Sequence, residues 1–470
     1  MNPIQPADIA QYLSIDLAWR YKAIPHEITG NRLTLLMDAS TYDETLAGEL
    51  ETITGYEIVL VRESQEKVEQ LLSRLYKKSA SSDMLLQPGA GTDDFLAKII
   101  FEAKELHCSD IHIEIYAEKC RVRLRIDGRL VERYSIARNE YPSFINKIKI
   151  RARLDIAEKR LPQDGRILFQ HGNDKVDIRV SVLPTLHGEK AVLRLLNNDA
   201  AHISLGSLGL DNQQLTDFSK VLKKPHGLIL ISGPTGSGKT TTLYATLKTL
   251  NNEFSNILTI EDPIEYTLEG VNQVQLKENI GLGFSSALRT FLRQNPDIIM
   301  LGEIRDSETA QMAVRAALTG HLVLSTIHTN SAWGTMSRLI DMGVPAFLLA
   351  GTVNMTVAQR LLRRLCVHCS RQAPVDDALR KEVPELGSME THTTAAGCDK
   401  CYYTGYSGRI AIYEIIPMDN VLADRVRDGS MQVGDLLQQR KIVTLKSRAL
   451  QLVADGITSV DEAYPVFLNY

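Results

Sequence analysis

The stretch that most constrains the fold of this chain is GPTGSGKT, residues 233–240, which fits the phosphate-loop pattern GxxxxGK[ST]. An apolar run at 228–232 predicts a strand before it, and the residues after it predict a helix. Glycines here let backbone N–H groups surround a phosphate at the positive end of that helix. In such a loop Lys239 reaches the β- and γ-phosphates, and the Thr240 hydroxyl binds magnesium. The residues predicted to bind nucleotide are Gly233, Pro234, Thr235, Gly236, Ser237, Gly238, Lys239, Thr240 and Thr241.

From about residue 206 onward, apolar strands alternate with helical patterns in the manner of βαβ units. The strands read GLILIS, NILTIE, DIIML and HLVLSTI, with patterns such as SSALRTFLRQ and SETAQMAVRAALTG between them. This rhythm predicts an α/β fold with a doubly wound, mostly parallel sheet. The guanine-reading motif NKxD does not follow the loop, which favours ATP over GTP as the nucleotide.

Two smaller regions precede this sheet. Residues 1–78 predict a small α/β domain, and the Ser-, Gly- and Pro-rich segment 79–92 predicts a linker. Residues 93–205 predict a second domain, in which CRVRLRIDGRLVERY alternates apolar residues with arginines and carries an Asp-Gly hairpin signal. Residues 206–470 then form the predicted nucleotide-binding domain, whose tail beyond 417 predicts short helices.

Composition and charge set the class of protein. The chain of 470 residues is 44% hydrophobic and 23% charged, as in soluble globular proteins with several domains. No apolar run reaches the roughly 18 residues that span a bilayer, and the N-terminus shows no basic segment followed by an apolar one. We therefore expect a cytosolic protein. Its net charge of −4 gives no overall nucleic-acid footprint.

Several carboxylates are predicted to meet at one edge of the sheet, because ligands bind at the carboxyl ends of parallel strands. Three of them end the strand in TIEDPIE, and a fourth ends the next strand in NPDIIMLGEIRD. They are Glu261, Asp262, Glu265 and Glu303. Hydrolysis needs one carboxylate to orient water and another near magnesium. Gly302 stands where many phosphate-binding motors have an aspartate, so we expect the metal-side role to fall to Thr240 and Glu303.

Two histidines bracket the apolar strand HLVLSTI. His321 and His328 are both candidates for contact with the phosphates, since imidazole titrates near neutral pH. A lone histidine is equally compatible with a structural role, so both alternatives remain open for each.

Four of the six cysteines form two CxxC pairs, Cys366 with Cys369 and Cys398 with Cys401, separated by 28 residues. In a reducing cytosol such pairs are metal ligands more often than disulfides. Four thiolates predict a closed, structural, tetrahedral zinc site, with an iron–sulfur cluster as the alternative. The long spacing predicts a folded excursion between the two pairs.

Residues 119–179 carry 16 Lys and Arg against 8 Asp and Glu. Such a patch is compatible with nucleic acid, but few aromatic residues interleave with it, unlike a single-strand platform. We interpret it as an electropositive surface that faces nucleotide and a neighbouring subunit.

Six motifs, in order, resemble those of the secretion ATPases, the hexameric motors of type II secretion and type IV pilus assembly. They are SDIHIE, RLPQDGR, GPTGSGKT, TIEDPIE, GEIRD and TGHLVLSTIHT. The resemblance spans residues 93–415 strongly and 1–78 weakly. It implies a RecA-like P-loop ATPase core, a PAS-like α+β middle domain and an inserted tetracysteine zinc module at about 362–415. Family members with this module and an N-terminal extension act in secretion or assembly rather than in pilus retraction.

The resemblance also implies roles for individual residues. Glu303 would assist magnesium and its water shell, and Glu265 would be the general base, with Glu261 as the second choice. Arginines would complete the site across domain and subunit contacts, which suits the charge of a transferred phosphoryl group. The matching positions are Arg179, Arg194, Arg289 and Arg293. A surface salt bridge is the alternative for each of these arginines.

The implied cofactors are ATP, Mg²⁺ and Zn²⁺, and the implied assembly is a homohexamer at the cytosolic face of the inner membrane. A membrane platform protein would receive the motion, and residues 1–78 would bind the cytoplasmic domain of a membrane adaptor. No nucleic-acid partner is expected. Type II secretion and type IV pilus assembly are not separated by the sequence. The rival functions are a nucleic-acid-translocating ATPase and a scaffold that binds ATP without turnover.

Overall fold

The computed structural model describes most of the chain, in two compact units. The first unit comprises residues 1–195, 365–372 and 394–407, and the second comprises 196–364, 373–393 and 408–470. The described residues are 2–3, 9–43, 45–65, 67–68, 71–72, 92–171, 174–196, 203–387, 389–430 and 432–468. The predicted linker 79–92 lies outside them except for its last residue.

The first unit opens with a four-stranded sheet in the order β1-β2-β3-β4. Its strands are β1 (Asn2–Pro3), β2 (Ala23–Thr29), β3 (Arg32–Asp38) and β4 (Glu57–Glu63), and its helices are Ile9–Tyr12, Ile15–Tyr21 and Leu46–Thr54. β3 pairs antiparallel with β2 and parallel with β4. Leu33 and Leu35 alternate into the core and pack with Leu50 of the third helix. This is the small α/β fold that the first 78 residues predict.

A six-stranded sheet follows, in the order β7-β6-β5-β10-β9-β8. Its strands are β5 (Asp110–Ile115), β6 (Cys120–Ile126), β7 (Arg129–Ile136), β8 (Gln163–His171), β9 (Asp174–Thr185) and β10 (Gly188–Leu196), with helices Thr92–Glu105 and Tyr141–Arg151. Val122 and Leu124 of β6 are fully buried, as the alternation predicts. Asp127 and Gly128 both have positive φ, which closes the predicted β6–β7 hairpin.

The second unit is built on a seven-stranded sheet in the order β13-β12-β14-β15-β11-β16-β19. Its strands are β11 (Gly227–Ser232), β12 (Ile257–Glu261), β13 (Asn272–Gln275), β14 (Ile298–Leu301), β15 (Leu322–Ile327), β16 (Val353–Leu365) and β19 (Tyr406–Pro417). A two-stranded sheet, β17 (Ser370–Pro374) with β18 (Thr391–Ala395), lies between β16 and β19 in the sequence. Five strand pairs of this sheet are parallel: β11 with β15, β11 with β16, β12 with β13, β12 with β14, and β14 with β15.

Helices connect these strands and continue to the end of the described chain. Those of the nucleotide-binding core are Asn212–Leu222, Lys239–Leu250, Phe284–Phe291 and Ser307–Leu318. The later ones are Gly334–Asp341, Ala346–Thr352, Asp377–Glu382, Asn420–Arg427, Gly434–Gln439, Leu445–Ala454 and Val460–Leu468. The short helices predicted beyond 417 are thus present. Within the part of the chain that the structure describes, none of the helices has the length and apolarity to cross a bilayer.

Strand direction places the candidate site. β11 and β15 pair in parallel over their whole length, from Gly227 opposite Leu322 to Ser232 opposite Ile327. β14 lies beside β15 and β12 beside β14 in the same direction. Every residue of β11, β12, β14 and β15 is buried, because helices cover both faces of a sheet of this kind. The loops that follow these four strands therefore begin at one edge of the sheet.

Candidate nucleotide site and candidate metal centre

The phosphate loop is packed tightly between the end of β11 and strand β16. Gly233 has a φ of 148°, and a Cβ atom there would lie 2.5 Å from the Gln359 carbonyl oxygen and 2.6 Å from the Ser237 hydroxyl. Gly238 has a φ of 86°, and its Cβ would lie 2.8 Å from the Gln359 side-chain nitrogen. Both positions therefore require glycine, for backbone conformation and for space.

Lys239 opens the helix that follows the loop, and the loop itself satisfies its ammonium group. Nζ donates to the carbonyl oxygens of Gly233 at 2.8 Å and Pro234 at 3.1 Å. Burial lowers the pKa of Lys239, while the negative charge of Glu303 opposes that shift. The lysine and Glu303 thus lie within electrostatic reach of each other.

The first turn of this helix leaves room for an anion. Thr240 is exposed and Thr241 is half-buried. The first backbone N–H groups of a helix have no partner within the helix and attract negative charge. A cavity of about 200 Å³ opens beside the loop. Its lining residues are Gly233, Pro234, His328, Thr329 and Asn330.

Glu303 follows the end of β14, and 18% of its side chain is exposed. Arg305 donates to one of its carboxylate oxygens at 2.5 Å, and His328 Nε2 lies 3.3 Å from the other. The Arg305 guanidinium also lies 3.7 Å from the Asp262 carboxylate. Burial alone would raise the pKa of Glu303, but Arg305 and His328 outweigh it and hold that pKa below its ordinary value. Glu303 is therefore an anion at the edge that carries the loop.

Gly302 forms the backbone contact that brings Glu303 to this edge. Its N–H donates to the Ile260 carbonyl oxygen at 2.8 Å, and its own carbonyl accepts from the Thr326 hydroxyl at 2.7 Å. A Cβ at this position would lie 3.3 Å from the Ile260 oxygen and 3.4 Å from Cα of Glu261. A side chain at 302 would therefore press on β12. The metal-side role expected of Glu303 stays a prediction.

The two glutamates of TIEDPIE differ in environment. Glu261 is 3% exposed and accepts hydrogen bonds from the Tyr244 hydroxyl, the Thr259 hydroxyl at 2.5 Å and the Gln273 side-chain amide at 3.1 Å. Glu265 is partly exposed in the loop, and its backbone N–H donates to the Tyr244 hydroxyl at 3.3 Å. Of the two, Glu265 has the access to water that a general base needs.

The structure places the two candidate histidines at opposite ends of β15. His328 follows the strand and lies beside Glu303. His321 precedes it, with Nδ1 2.9 Å from the Ala316 carbonyl oxygen and 3.2 Å from the Thr319 hydroxyl. Six strand residues span about 20 Å. The hypothesis of a phosphate contact is therefore corrected for His321, because the strand carries it to the far edge.

The four candidate arginines lie on two separate units. In the second unit Arg289 pairs with Glu308, both side chains being more than half exposed, and Arg293 donates to the Arg289 carbonyl oxygen at 3.0 Å. In the first unit Arg179 lies on β9 and Arg194 lies on β10, with 61% of the Arg194 side chain exposed. Their predicted role across subunits remains a prediction.

Several arginines of the basic stretch in the first unit pair with acids of the same sheet. Glu114, with 3% of its side chain exposed, accepts from Arg121 at 3.1 Å and from Arg123 at 2.8 Å. Burial opposes ionisation of Glu114, but Arg123 and Lys190 lower its pKa to about 2. Asp110 accepts from Arg194 at 3.0 Å. Some basic residues of the expected electropositive surface are thus paired with acids that strand pairing brings close. Because Glu114 alone is shared by Arg121, Arg123 and Lys190, positive charge remains in excess there, and the role of this surface stays a prediction.

The four CxxC cysteines converge in the first unit. Their sulfur atoms all lie within 4.8 Å of one another. The Cys366–Cys398, Cys369–Cys401 and Cys398–Cys401 sulfur pairs are 3.9, 3.7 and 3.7 Å apart. Thiolates at about 2.3 Å from one tetrahedral ion would lie about 3.8 Å apart. These separations therefore fit four thiolates on a single tetrahedral ion.

Local backbone supports this arrangement of thiols. The N–H groups of Gly397 and Gly405 point at the sulfur atoms of Cys369 and Cys401, at 3.3 and 3.2 Å. Such N–H donors stabilise the negative charge of thiolates and orient them. The predicted excursion between the pairs contains β17, β18 and the helix Asp377–Glu382.

Two residues of the site escaped the sequence analysis. Arg305 stands two residues after Glu303 in GEIRD. The only hint in the sequence was this spacing, which places the arginine close to Glu303 just beyond a buried strand. Tyr244 stands five residues after Lys239, in the buried central part of the helix that follows the phosphate loop. Neither pattern is specific, because the partners of both side chains come from other elements.

Substitution of Arg305 tests the electrostatics of Glu303. Because the folded-state pKa of Glu303 is lowered, its ionised form stabilises the fold above the ordinary glutamate pKa of about 4.3. That contribution is lost as pH falls through the folded-state value. Arg305→Gln should therefore lower the thermal midpoint by about 1–2 °C near pH 7, with the difference shrinking below about pH 4.

Thermal unfolding followed by circular dichroism between pH 7 and pH 3.5 measures this effect. Arg305→Lys, which keeps the charge, is the matched control and should retain most of the pH dependence. A difference between wild type and Arg305→Gln that is constant over this range would contradict the assignment.

Comparison with known proteins agrees with this geometry. The family described as "Type II/IV secretion system protein" matches residues 90–464. The chain is 40% identical over 488 residues to "Type IV pilus assembly ATPase PilB" of Myxococcus xanthus, covering 97% of this chain and 86% of that protein. It is 38% identical over 450 residues to "Type II secretion system ATPase E" of Vibrio cholerae, covering 89% of each chain.

A solved structure supports the fold. The pilus retraction motor PilT, determined with bound ADP, has a TM-score of 0.53 and 27% identity over 79% of this chain and 96% of that one. Its likeness and the seven-stranded sheet confirm the predicted α/β P-loop fold. The match over residues 90–464 and the identity to both relatives show that this chain belongs to the type II/IV secretion system protein family.

Proposed function

We propose that this chain is an ATP hydrolase, a ring-forming motor that powers type II secretion or type IV pilus assembly. One observation carries the proposal: in a chain of this family, the phosphate loop, the TIEDPIE loop and Glu303 all follow parallel strands at one edge of the sheet. Both relatives named above are ATPases by name, the enzyme class predicted from the sequence.

The residues present fit ATP and magnesium. Lys239 would exchange its two carbonyl contacts for phosphate oxygens, a change that an ammonium group on a flexible stem makes readily. Thr240, exposed at the helix start, and Glu303, held as an anion, would hold the metal and its waters. Magnesium, when bound, supplies charge neutralisation at the β- and γ-phosphates. Glu265 would orient the attacking water and take its proton.

The arginines fit a role that needs more than one copy of the chain. Arg194 and Arg289 are each paired with a carboxylate, yet about 60% of each side chain is exposed. An exposed guanidinium exchanges an acidic partner for a phosphate without a large loss of packing. Following the family resemblance, we propose that these two arginines, together with Arg179 and Arg293, complete the site across domain and subunit contacts in a homohexamer.

The remaining assignments follow the family. Residues 1–78 would bind a membrane adaptor, 93–205 would act as the middle domain, and 206–470 would hydrolyse ATP. The motor would work at the cytosolic face of the inner membrane and pass its motion to a platform protein. No nucleic-acid partner is proposed, because the net charge of the chain is −4 and few aromatic residues interleave with the basic stretch 119–179.

The four cysteines are proposed to bind one zinc ion with a structural role. The sulfur separations of 3.7–3.9 Å fit a tetrahedral ion. With all four positions taken by protein, zinc would fix the two chain segments together and would offer no open position for catalysis.

Glutamine substitutions separate the two carboxylate roles. Glu265→Gln should lower kcat about 10²- to 10⁴-fold, because it removes the base, and should leave the Kd for ATP within about threefold. Glu303→Gln should instead raise the Mg²⁺ concentration that gives half-maximal turnover. Phosphate release at varied ATP and Mg²⁺, and binding of a fluorescent ATP analogue, measure these effects.

Glu269→Gln, an equal change at an exposed position nearby, is the control and should keep wild-type turnover. Full activity of both Glu265→Gln and Glu303→Gln would exclude the proposed division of roles. Absence of hydrolysis by the wild-type hexamer would overturn the motor itself and favour a scaffold that binds ATP without turnover.

Elemental analysis tests the metal. Purified protein should contain about one zinc per chain, and Cys369→Ser or Cys401→Ser should reduce this below about 0.2. Cys108→Ser, at a buried thiol outside the cluster, should retain the metal. Iron with visible absorption, or a full complement of zinc in the Cys401→Ser protein, would refute the assignment.

A further inference from the structure

Tyr244 connects the phosphate-loop helix to the acidic loop through one buried hydroxyl. The side chain is fully buried on Lys239–Leu250, and its ring packs edge-on against Tyr266, with centroids 4.4 Å apart. The hydroxyl donates to Glu261 and accepts the backbone N–H of Glu265 at 3.3 Å. Helix, strand end and loop therefore meet at a single oxygen atom.

The directions of these hydrogen bonds are fixed by chemistry. Burial and the negative charge of Glu261 raise the pKa of the Tyr244 phenol, so its proton stays in place. A phenol has one proton, and an ionised carboxylate only accepts, so that proton goes to Glu261. The lone pairs of the oxygen remain for the N–H of Glu265. The Tyr244 hydroxyl thus uses its only proton on Glu261 and holds the backbone of Glu265 as an acceptor.

Glu261 is suited to hold the Tyr244 hydroxyl in place rather than to act as the general base. It is 3% exposed, and its two oxygens already accept from Tyr244, Thr259 and Gln273. A buried carboxylate satisfied in this way is rigid and has no open face for water. Gln273 also donates to the Tyr266 carbonyl oxygen at 3.2 Å, which ties the loop to β13.

We propose that Tyr244 and Glu261 are positioning residues that set the place of Glu265 relative to the phosphate loop. The inference rests on the proposed role of Glu265 as the base. The helix that carries Tyr244 begins at Lys239, so one rigid element holds both the phosphate-binding end and the anchor of the base. A displacement of about 1 Å at a reacting group costs up to about 100-fold in rate.

Tyr244→Phe tests the proposal, because it removes the hydroxyl and keeps the ring that packs on Tyr266. We expect kcat for ATP hydrolysis by the full-length protein to fall about 10- to 100-fold, with KM for ATP changed less than about twofold. Glu261→Gln should show the same split. A fall in kcat/KM that comes from KM alone would overturn the proposal, since it would indicate damage to nucleotide binding.

A double substitution separates positioning from general destabilisation. In the Glu265→Gln background, Tyr244→Phe should cause less than about a twofold further loss, because the group that it positions is already absent. Losses that multiply would mean that Tyr244 acts independently of Glu265, and would refute the inference.

Tyr413→Phe is the matched control. Tyr413 is 1% exposed in the same hydrophobic cluster, and its hydroxyl contacts the Leu208 carbonyl oxygen and the Thr242 hydroxyl instead of the acidic loop. It should lower the thermal midpoint as Tyr244→Phe does but keep kcat within about twofold of wild type. An equal loss of kcat in both would attribute the effect to any buried hydroxyl and contradict the proposal.

Different results would exclude the base role of Glu265 and the positioning role of Tyr244. Full turnover of Glu265→Gln would remove the proposed base, whatever Tyr244→Phe does. Loss of turnover in Glu265→Gln together with wild-type kcat in Tyr244→Phe would overturn the positioning role alone.

Discussion

Parallel pairing of β11, β12, β14 and β15 is the constraint on which the rest of the nucleotide site depends. Each strand is an apolar run buried on both faces, so its register follows from packing rather than from the polar residues at its end. Once the four strands run the same way, the phosphate loop, the acidic loop, Glu303 and His328 must begin at one edge. Buried apolar strand residues, which make no contact with a ligand, therefore bring the candidate nucleotide-binding groups together.

At that edge the charged groups fall into two physical classes. Glu261 is buried and saturated with hydrogen bonds, which makes it part of the framework. Glu303 and Glu265 keep access to solvent, and Arg305 holds Glu303 as an anion. Gly302 belongs with the framework, because its backbone bonds to Ile260 and Thr326 join β12 to β15. A side chain in place of this glycine would make close contacts with Ile260 and Glu261, which is a packing reason for glycine in LGEIRD.

The sequence predicted those features that local patterns specify. Apolar runs predicted the strands, and the Asp-Gly pair predicted the β6–β7 hairpin. The two CxxC pairs predicted a cysteine cluster, and the fold brings their four sulfur atoms together. Strand direction also separates His321 from the site, although its spacing alone did not indicate this. Relations between distant elements were not predictable. The burial of Glu261 depends on a tyrosine of one helix and a glutamine of another strand.

The charge pattern of the middle domain shows the same limit. Sixteen basic residues between 119 and 179 suggested a positive surface from composition. Their partners Glu114 and Asp110 lie on β5, just outside that stretch, and become neighbours only through sheet pairing. Arg121 and Arg123 both pair with Glu114 for this reason. A count of charges along the sequence cannot include partners supplied by the fold.

The most direct measurement of the central claim is a structure of the protein with Mg²⁺ and a non-hydrolysable ATP analogue. Lys239 Nζ should leave the carbonyl oxygens of Gly233 and Pro234 and contact the phosphates, while Glu303 faces the metal. Glu265 should be the carboxylate nearest the γ-phosphate, with Glu261 still bonded to Tyr244. A nucleotide bound away from the phosphate loop, or Glu261 released from Tyr244 and nearest the γ-phosphate, would contradict the account.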